Sequence, residues 1–165
     1  MQAKHEIERQ LENFKENQLI FASRLYRQSL SDTVSESAYY KTLERMCQQN
    51  TLAHVSRGIY CKPARGKYGI RLPSERDVIH EFTREGNGTV IGYALYNHLN
   101  LTTQVPKLIE VYSSLPDQQT KRIGSVRLTQ KELKYSPEAV RMIQILEVLK
   151  NYSEIQDLNQ NQFIK

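Results

Sequence analysis

Short amphipathic stretches alternate with short apolar runs in the first 72 residues of the chain. Apolar residues at helical spacing predict three helices, over residues 3–16, 25–30 and 35–49. Apolar and β-branched runs predict three strands, over residues 18–23, 52–55 and 59–61, and the last two form a hairpin that turns at Arg57-Gly58. Ser35 is a candidate N-cap of the third helix. The order helix, strand, helix, helix, hairpin is typical of a winged helix-turn-helix, whose third helix lies in the major groove of DNA.

From Pro73 onward the pattern predicts a small mixed α/β domain. A helix capped by Ser74 is expected over residues 73–85, and a short strand followed by a helix within residues 86–101. Strands are expected over residues 107–114 and 120–130, the latter turning at Gly124-Ser125. The clearest helix covers residues 136–152, with Pro137 near its first position and four apolar residues at helical spacing, Val140, Ile143, Leu146 and Leu149. The sequence therefore predicts an α+β protein with three parts: a winged helix-turn-helix domain over residues 1–72, a mixed α/β domain over residues 73–152 and a flexible Asn/Gln-rich tail over residues 153–165.

Positive charge is concentrated in one window. Residues 37–73 hold seven Lys or Arg against a single Glu44, which gives +6; the remaining 16 basic and 17 acidic residues give −1, and the two sum to the net +5. A local basic surface is expected of a protein that binds a phosphate backbone. The candidate DNA-binding residues lie on the third helix, on the hairpin and just beyond it: Ser37, Tyr40, Lys41, Arg45, His54, Ser56, Arg57, Lys62 and Arg65. The alternative is a solvated basic face on a three-helix core, which Glu44 favours.

Membrane and secreted proteins are not indicated by the sequence. It contains no run of about 18 apolar residues, and the charged N-terminus lacks the apolar stretch of a secretory signal. Cys47 and Cys61 fit no metal-ligand spacing, and we expect both to be reduced and partly buried. These features predict a cytoplasmic protein without a bound metal or cofactor.

Two combinations of residues are candidates for acid–base catalysis, and the sequence supports each of them only weakly. His80 with Glu81 or Glu85, or His98 with Glu110, would be acid–base pairs, but such residues on polar helices are usually solvated. The sequence holds no nucleophile elbow, P-loop or zinc-protease motif. We therefore expect no enzymatic activity.

Three stretches together resemble a known family. They are "TLERMCQQNTLAHVSRGIYCKP", "IGYALYNHLNLTTQVP" and "TKRIGSVRLT", and they are similar to the AbiEi-type antitoxins of bacterial abortive-infection systems, especially their short relatives, over residues 7–152. The resemblance implies a winged-helix domain that binds promoter double-stranded DNA and represses its own operon. It also implies a C-terminal domain that counteracts a co-encoded nucleotidyltransferase-like toxin, without a tight complex between the two.

The resemblance also assigns roles to individual positions. It places Arg45 at the basic position of the third helix, Arg57, Gly58 and Tyr60 in the wing, and Thr102, Thr103, Gln104 and Pro106 in the turn of the antitoxin domain. The chain departs from the family pattern at Asn50 and Asn100, where relatives usually have a helix-ending glycine, and at Cys61, where a second tyrosine is common. Two alternative functions are an orphan regulator without a toxin and a protein-interaction module.

The polar turn within residues 97–107 has two interpretations. Its hydroxyl and amide groups would satisfy nearby backbone and lock a helix to the next strand, or they would form a contact surface for a toxin, a nucleic acid or a nucleotide. Gly92 and Tyr93, at the start of the preceding helix, would offer backbone N–H groups to an anion. The oligomeric state is open, since a palindromic operator would suit either a dimer or cooperative monomers.

Overall fold

The computed structural model describes residues 2–164. The chain forms two compact units, which we call unit 1 and unit 2: unit 1 ends at Asp77 and unit 2 begins at Val78. Seven α-helices and several β-sheets occur within the described residues, which confirms the predicted α+β class. No helix in this part of the chain is long and apolar enough to cross a membrane.

Unit 1 begins with three helices and a three-stranded sheet. Its elements are α1 (Gln2–Glu12), β1 (Ile20–Phe21), α2 (Ala22–Ser29), α3 (Glu36–Gln48), β2 (Ala53–Ser56) and β3 (Ile59–Cys61). β3 lies between β1 and β2 and is antiparallel to both. The predicted hairpin is confirmed; we call residues 53–61 hairpin 1. The first helix ends at Glu12 rather than at residue 16: the chain turns directly after it, where the Phe14 N–H donates to the Leu11 carbonyl at 3.1 Å, and turns again at Asn17, whose φ is 58°.

A second, unpredicted hairpin follows directly. β4 (Ala64–Gly66) and β5 (Gly69–Arg71) pair antiparallel around the two residues Lys67 and Tyr68. We call residues 64–71 hairpin 2. The sequence of hairpin 2 is rich in cations, and no strand was predicted there. The glycines on both sides of the turn allow a tight two-residue connection.

The core of unit 1 follows from helical spacing. Tyr39, Leu43 and Met46 of α3 are buried against Ile7 and Leu11 of α1, as expected for residues that recur on one helix face. Burial of these side chains fixes which face of α3 remains in solvent.

The ends of α3 confirm the predicted caps. The Ser35 hydroxyl accepts a hydrogen bond from the Ala38 N–H at 3.4 Å. After the helix, Asn50 has a φ of 57° and the Leu52 N–H donates to the Met46 carbonyl at 3.2 Å. Asn100 has the same φ of 57° after a helix in unit 2. Asparagine thus takes the left-handed conformation that glycine usually supplies at such positions.

Unit 2 contains a mixed four-stranded sheet with helices. Helix α4 (Glu75–Thr83) begins before the unit boundary, and the elements after it are a 3-10 turn (Arg84–Gly86), β6 (Gly88–Ile91), α5 (Gly92–His98), β7 (Ile109–Ser113), β8 (Thr120–Ile123), β9 (Val126–Gln130), α6 (Pro137–Asn151), a 3-10 turn (Tyr152–Glu154) and α7 (Gln160–Phe163). The strand order is β6-β7-β9-β8, with β7 and β9 parallel and the other pairs antiparallel. Ser74 caps α4 as predicted, accepting from the Asp77 N–H at 3.3 Å.

The structure differs from the prediction of a flexible tail from residue 153. Ile155 is buried in the same cluster as Leu95 and Leu101, and Leu158 and Phe163 pack against it. The apolar residues are spaced widely among asparagines and glutamines, so no periodic pattern marks them in the sequence. Several of their partners, Leu95, Tyr96 and Leu101, lie more than 50 residues earlier in the chain.

Candidate nucleic-acid interface

One face of α3 carries polar side chains into solvent. Ser37, Lys41 and Arg45 are exposed and follow one another at intervals of four residues, so they form a line along the helix. Glu44 and Gln48 are exposed beside them. This line can offer a hydroxyl and two cations to base edges or phosphates, as the sequence predicted.

Tyr40 is placed differently from the other predicted contacts on α3. Its side chain is only partly exposed and packs against the core, and its ring lies edge-on to that of Tyr39 at 5.2 Å. Aromatic packing of this kind holds the ring in place. Tyr40 therefore packs beneath the polar face of α3 and adds little exposed surface to that face.

Hairpin 1 presents its turn to solvent. Arg57 is exposed, and Gly58 takes a φ of 73° that a side chain would strain. The Gly58 carbonyl accepts from the Ala22 N–H at 2.9 Å, which ties the turn to the start of α2. The strand register shifts between His54 and Ser56, leaving His54 exposed and Ser56 half-buried.

Tyr60 connects hairpin 1 to α3. It packs against the same core cluster as Tyr40 and Cys47, and its ring lies edge-on to His54 at 5.4 Å. Burial raises the pKa of Tyr60, and the nearby Cys47, Tyr40 and Glu44 raise it further. The Tyr60 ring of hairpin 1 therefore lies near Tyr40, Glu44 and Cys47 of α3.

Lys62 and Arg65 have different surroundings. The Lys62 ammonium donates to the Phe14 carbonyl at 2.9 Å, so it holds the end of the α1 segment. Both cations line a groove of about 740 Å³ together with acidic and basic side chains from α1 and the residues after it, among them Arg9, Glu12 and Glu16. The groove therefore has mixed charge, which the count of charges along the sequence does not reveal.

Hairpin 2 is a basic element that is exposed along residues 65–71. Lys67 and Arg71 are exposed, as is Arg65 on the paired strand. Tyr68, at the turn, is 95% exposed, and the Lys67 ammonium lies 5.6 Å from the centre of its ring. A solvent-exposed aromatic ring among cations is typical of nucleic-acid contacts. In the sequence, the two glycines that flank Lys67 and Tyr68 are the feature that indicates this turn.

Arg24 adds a further cation beside hairpin 1. Its guanidinium lies 4.8 Å from the centre of the Phe21 ring, and Phe21 pairs with Ile59 of hairpin 1. Stacking on an aromatic ring holds a guanidinium in a defined position. Nothing in the local sequence singles out this arginine.

A comparison with protein families matches residues 6–160 to a family described as "Family of unknown function (DUF6088)". The chain belongs to the DUF6088 family. The match covers nearly all of both units. No curated protein and no solved structure matches the chain.

In this DUF6088 protein the polar turn of unit 2 anchors the C-terminal segment. Thr102 is buried and its hydroxyl donates to the Gln156 carbonyl at 2.6 Å. Gln104 donates through its side-chain amide to Asp157, and the Leu101 carbonyl accepts from the Asn159 N–H at 2.8 Å. The turn thus locks helix α5 to residues 153–164, rather than to the following strand.

The other residues of the turn are less constrained. Thr103 is exposed and Pro106 half-buried, and Val105 between them is 81% exposed. The Asn97 side-chain amide donates to the carbonyls of Thr102 and Gln104, each at 3.3 Å. Only the outer edge of the turn is therefore accessible to a partner.

The carboxylates considered for acid–base pairs have arginine partners in the DUF6088 chain. Arg84 contacts Glu81 at 3.1 Å and Glu85 at 2.9 Å. Arg127 contacts Glu110 at 3.2 Å. Within residues 2–164, no group of three or more His, Cys, Asp and Glu side chains is placed to hold a metal ion.

The candidate anion position at the start of α5 has a carboxylate of the protein close to it. Gly92 has a φ of 65°, and a Cβ at this position would stand 2.5 Å from the Glu110 Oε2. The Glu110 carboxylate therefore lies beside Gly92, where its negative charge would repel an external anion.

Proposed function

We propose that unit 1 is a winged-helix domain that binds duplex DNA and that the protein represses transcription of its own operon. The observation that carries this proposal is the exposed line of Ser37, Lys41 and Arg45 on α3 beside hairpin 1. The order of elements from α1 to β3 and the pairing β1-β3-β2 also match the design of a winged helix.

Each basic element has its own role in this proposal. Helix α3 enters the major groove, where Arg45 reads base edges and Ser37 and Lys41 contact bases or phosphates. Arg57, at the tip of hairpin 1, contacts the flanking phosphate backbone. Hairpin 2 adds backbone contacts through Lys67 and Arg71, and the ring of Tyr68 packs against a sugar or an unstacked base.

Electrostatics gives the proposal a measurable consequence. Lys41, Arg45, Arg57, Lys67 and Arg71 are all exposed. If they neutralise about five phosphates, the logarithm of the binding constant falls against the logarithm of salt concentration with a slope of roughly −4 to −5. This slope separates binding to a phosphate backbone from binding to an uncharged surface.

The test is binding of the full chain to the duplex upstream of its own gene, measured by fluorescence anisotropy at several salt concentrations beside a shuffled duplex. Arg57→Ala is expected to weaken binding to both duplexes about equally. Arg45→Ala is expected also to reduce the preference for the upstream duplex, by roughly 1–3 kcal/mol. Lys134→Ala, which removes an exposed cation of unit 2, is the control and is expected to change neither value. Absence of binding, or an affinity independent of salt, would refute the proposal.

We further propose that unit 2 acts as an antitoxin against a co-encoded nucleotidyltransferase-like toxin. The support is the resemblance of the stretches around residues 91–106 and 120–129 to AbiEi-type antitoxins. Co-expression with the neighbouring gene tests this role, with relief of growth arrest as the expected result. Growth arrest that persists in the presence of the protein would reject it. A pull-down partner whose binding survives DNase and needs no DNA would indicate a protein-interaction module instead.

A further inference from the structure

One face of α6 is apolar and open to solvent. Met142, Ile145, Leu146 and Leu149 are 58%, 55%, 57% and 56% exposed. Their spacing of i, i+3, i+4 and i+7 places all four on one side of the helix. We call these four residues the α6 stripe.

The opposite side of α6 already packs against unit 2. Val148 is buried in the cluster with Leu95 and Tyr96, and Val140 and Ile143 are partly buried. A second apolar face on a helix that is already packed is normally covered by another surface. Within unit 2, one face of α6 is packed against other elements, and the α6 stripe remains exposed to solvent.

An apolar groove widens the exposed surface on one edge of the stripe. Its volume is about 510 Å³, and its apolar lining includes Leu99, Leu101, Ile145, Leu149 and Phe163. Leu99 is itself 37% exposed. The stripe and the groove therefore form one continuous apolar surface.

We propose that a second copy of this chain covers the α6 stripe, with the two α6 helices antiparallel about a twofold axis. The spacing of the stripe is symmetric about the point between Ile145 and Leu146. In an antiparallel pair, Met142 therefore lies opposite Leu149 of the partner subunit, and Ile145 opposite Leu146 of the partner subunit. A surface that complements itself in this way is what an isologous dimer requires.

The exposed area suits a small dimer interface. Each half-exposed side chain of the stripe leaves roughly 100 Å² in water, or about 400 Å² of apolar core per protomer. Through the stripe alone, the two protomers would bury roughly 800 Å² in total, and Leu99 and Phe163 of the groove bring this closer to the roughly 1,000 Å² that a specific interface needs. Charged residues of α6, Glu138, Arg141 and Lys150, are exposed at its two ends. An apolar centre with a charged rim is the usual anatomy of a homodimer interface.

The first test is the mass of the full chain in the absence of DNA, from sedimentation equilibrium across the micromolar range. We expect a dimer for the wild type and a monomer for the double variant Ile145→Asp, Leu149→Asp. The control is Leu133→Asp, a residue 48% exposed outside α6, which should remain dimeric. Far-UV circular dichroism checks that every variant is folded. A wild-type monomer at all concentrations, or a folded double variant that stays dimeric, would overturn the proposal.

The second test addresses the antiparallel arrangement. In a mild oxidant, Ile145→Cys is expected to form a disulfide-linked dimer, because the two positions lie beside the twofold axis. Met142→Cys is not expected to do so, since the two copies are about 10 Å apart along the helix axis, beyond the reach of a disulfide. Equal cross-linking at both positions would overturn the antiparallel arrangement. Because neither test contains DNA, neither depends on the proposed DNA binding.

Discussion

Replacing Lys67 and Arg71 together by glutamine tests the role of hairpin 2 in DNA binding. Both side chains are exposed, while the hairpin itself is held by backbone pairing of Gly66 with Gly69 and of Ala64 with Arg71. The variant should therefore lose charge without losing the hairpin. Each phosphate contact contributes about 0.9 to the salt slope, so two lost contacts reduce the slope by about 1.8. A wild-type slope near −4.5 would become about −2.7.

The assay is fluorescence anisotropy of the labelled upstream duplex in a salt titration. The matched control is Lys107→Gln with Lys134→Gln, which changes the net charge by the same amount through two exposed lysines of unit 2. The control should keep the wild-type slope, because its cations lie outside the proposed surface. An unchanged slope for the hairpin variant would refute the assignment of hairpin 2. Equal slopes for variant and control, both reduced, would show that net charge alone determines binding.

The remaining predictions concern stability and reactivity. Tyr39→Phe removes the buried hydroxyl that donates to a backbone carbonyl at 3.1 Å and should lower the free energy of unfolding in urea by about 1 kcal/mol; an unchanged midpoint would contradict this. Asn100→Val should cost about 1–2 kcal/mol because its φ is left-handed, whereas Asn100→Gly should cost nothing. Burial raises the pKa of Cys61 to about 11, so a thiol reagent at pH 8 should modify it only after unfolding. Burial also raises the pKa of Tyr96 and of Tyr135 to about 12, above the value of about 10 in an unfolded chain. The stability that these tyrosines contribute is complete below pH 10 and is lost as the pH rises towards 12, which denaturant unfolding at increasing pH would measure.

Local patterns in the sequence predicted most elements of unit 1. The spacing of Tyr39, Leu43 and Met46 identified the buried face of α3, and Ser35 identified its start. These features depend on residues a few positions apart, which periodicity and capping preferences describe well. Hairpin 2 was missed because each of its strands is only three residues long and lacks a run of β-branched or aromatic residues.

Long-range contacts explain what the sequence did not reveal in unit 2. The Thr102 hydroxyl bonds to Gln156, 54 residues further along the chain. Neither the turn nor the tail contains a local signal for this contact. The tail looked flexible for the same reason, since Ile155 and Phe163 gain their partners only in the folded unit.

Charge counting along the sequence has a similar limit. Lys62 counts toward the +6 window, yet its ammonium is engaged by the Phe14 carbonyl. Arg24 lies outside the window, yet its guanidinium stacks on Phe21 beside hairpin 1. A cation contributes to a binding surface only where the fold leaves its charge accessible, so position in space decides which cations count.

Symmetry connects the two proposals without making one depend on the other. An isologous dimer formed through the α6 stripe carries two identical copies of α3 related by a twofold axis, whatever the position of unit 1 within each subunit. Two such helices match an inverted repeat in DNA, because the duplex has local twofold axes of its own. Salt acts on the two associations in opposite directions: it weakens contacts with phosphates, while kosmotropic salts strengthen burial of apolar side chains such as Ile145 and Leu149. If DNA binding and dimerisation use two separate surfaces, rising sulfate should therefore release the DNA while the protein remains dimeric.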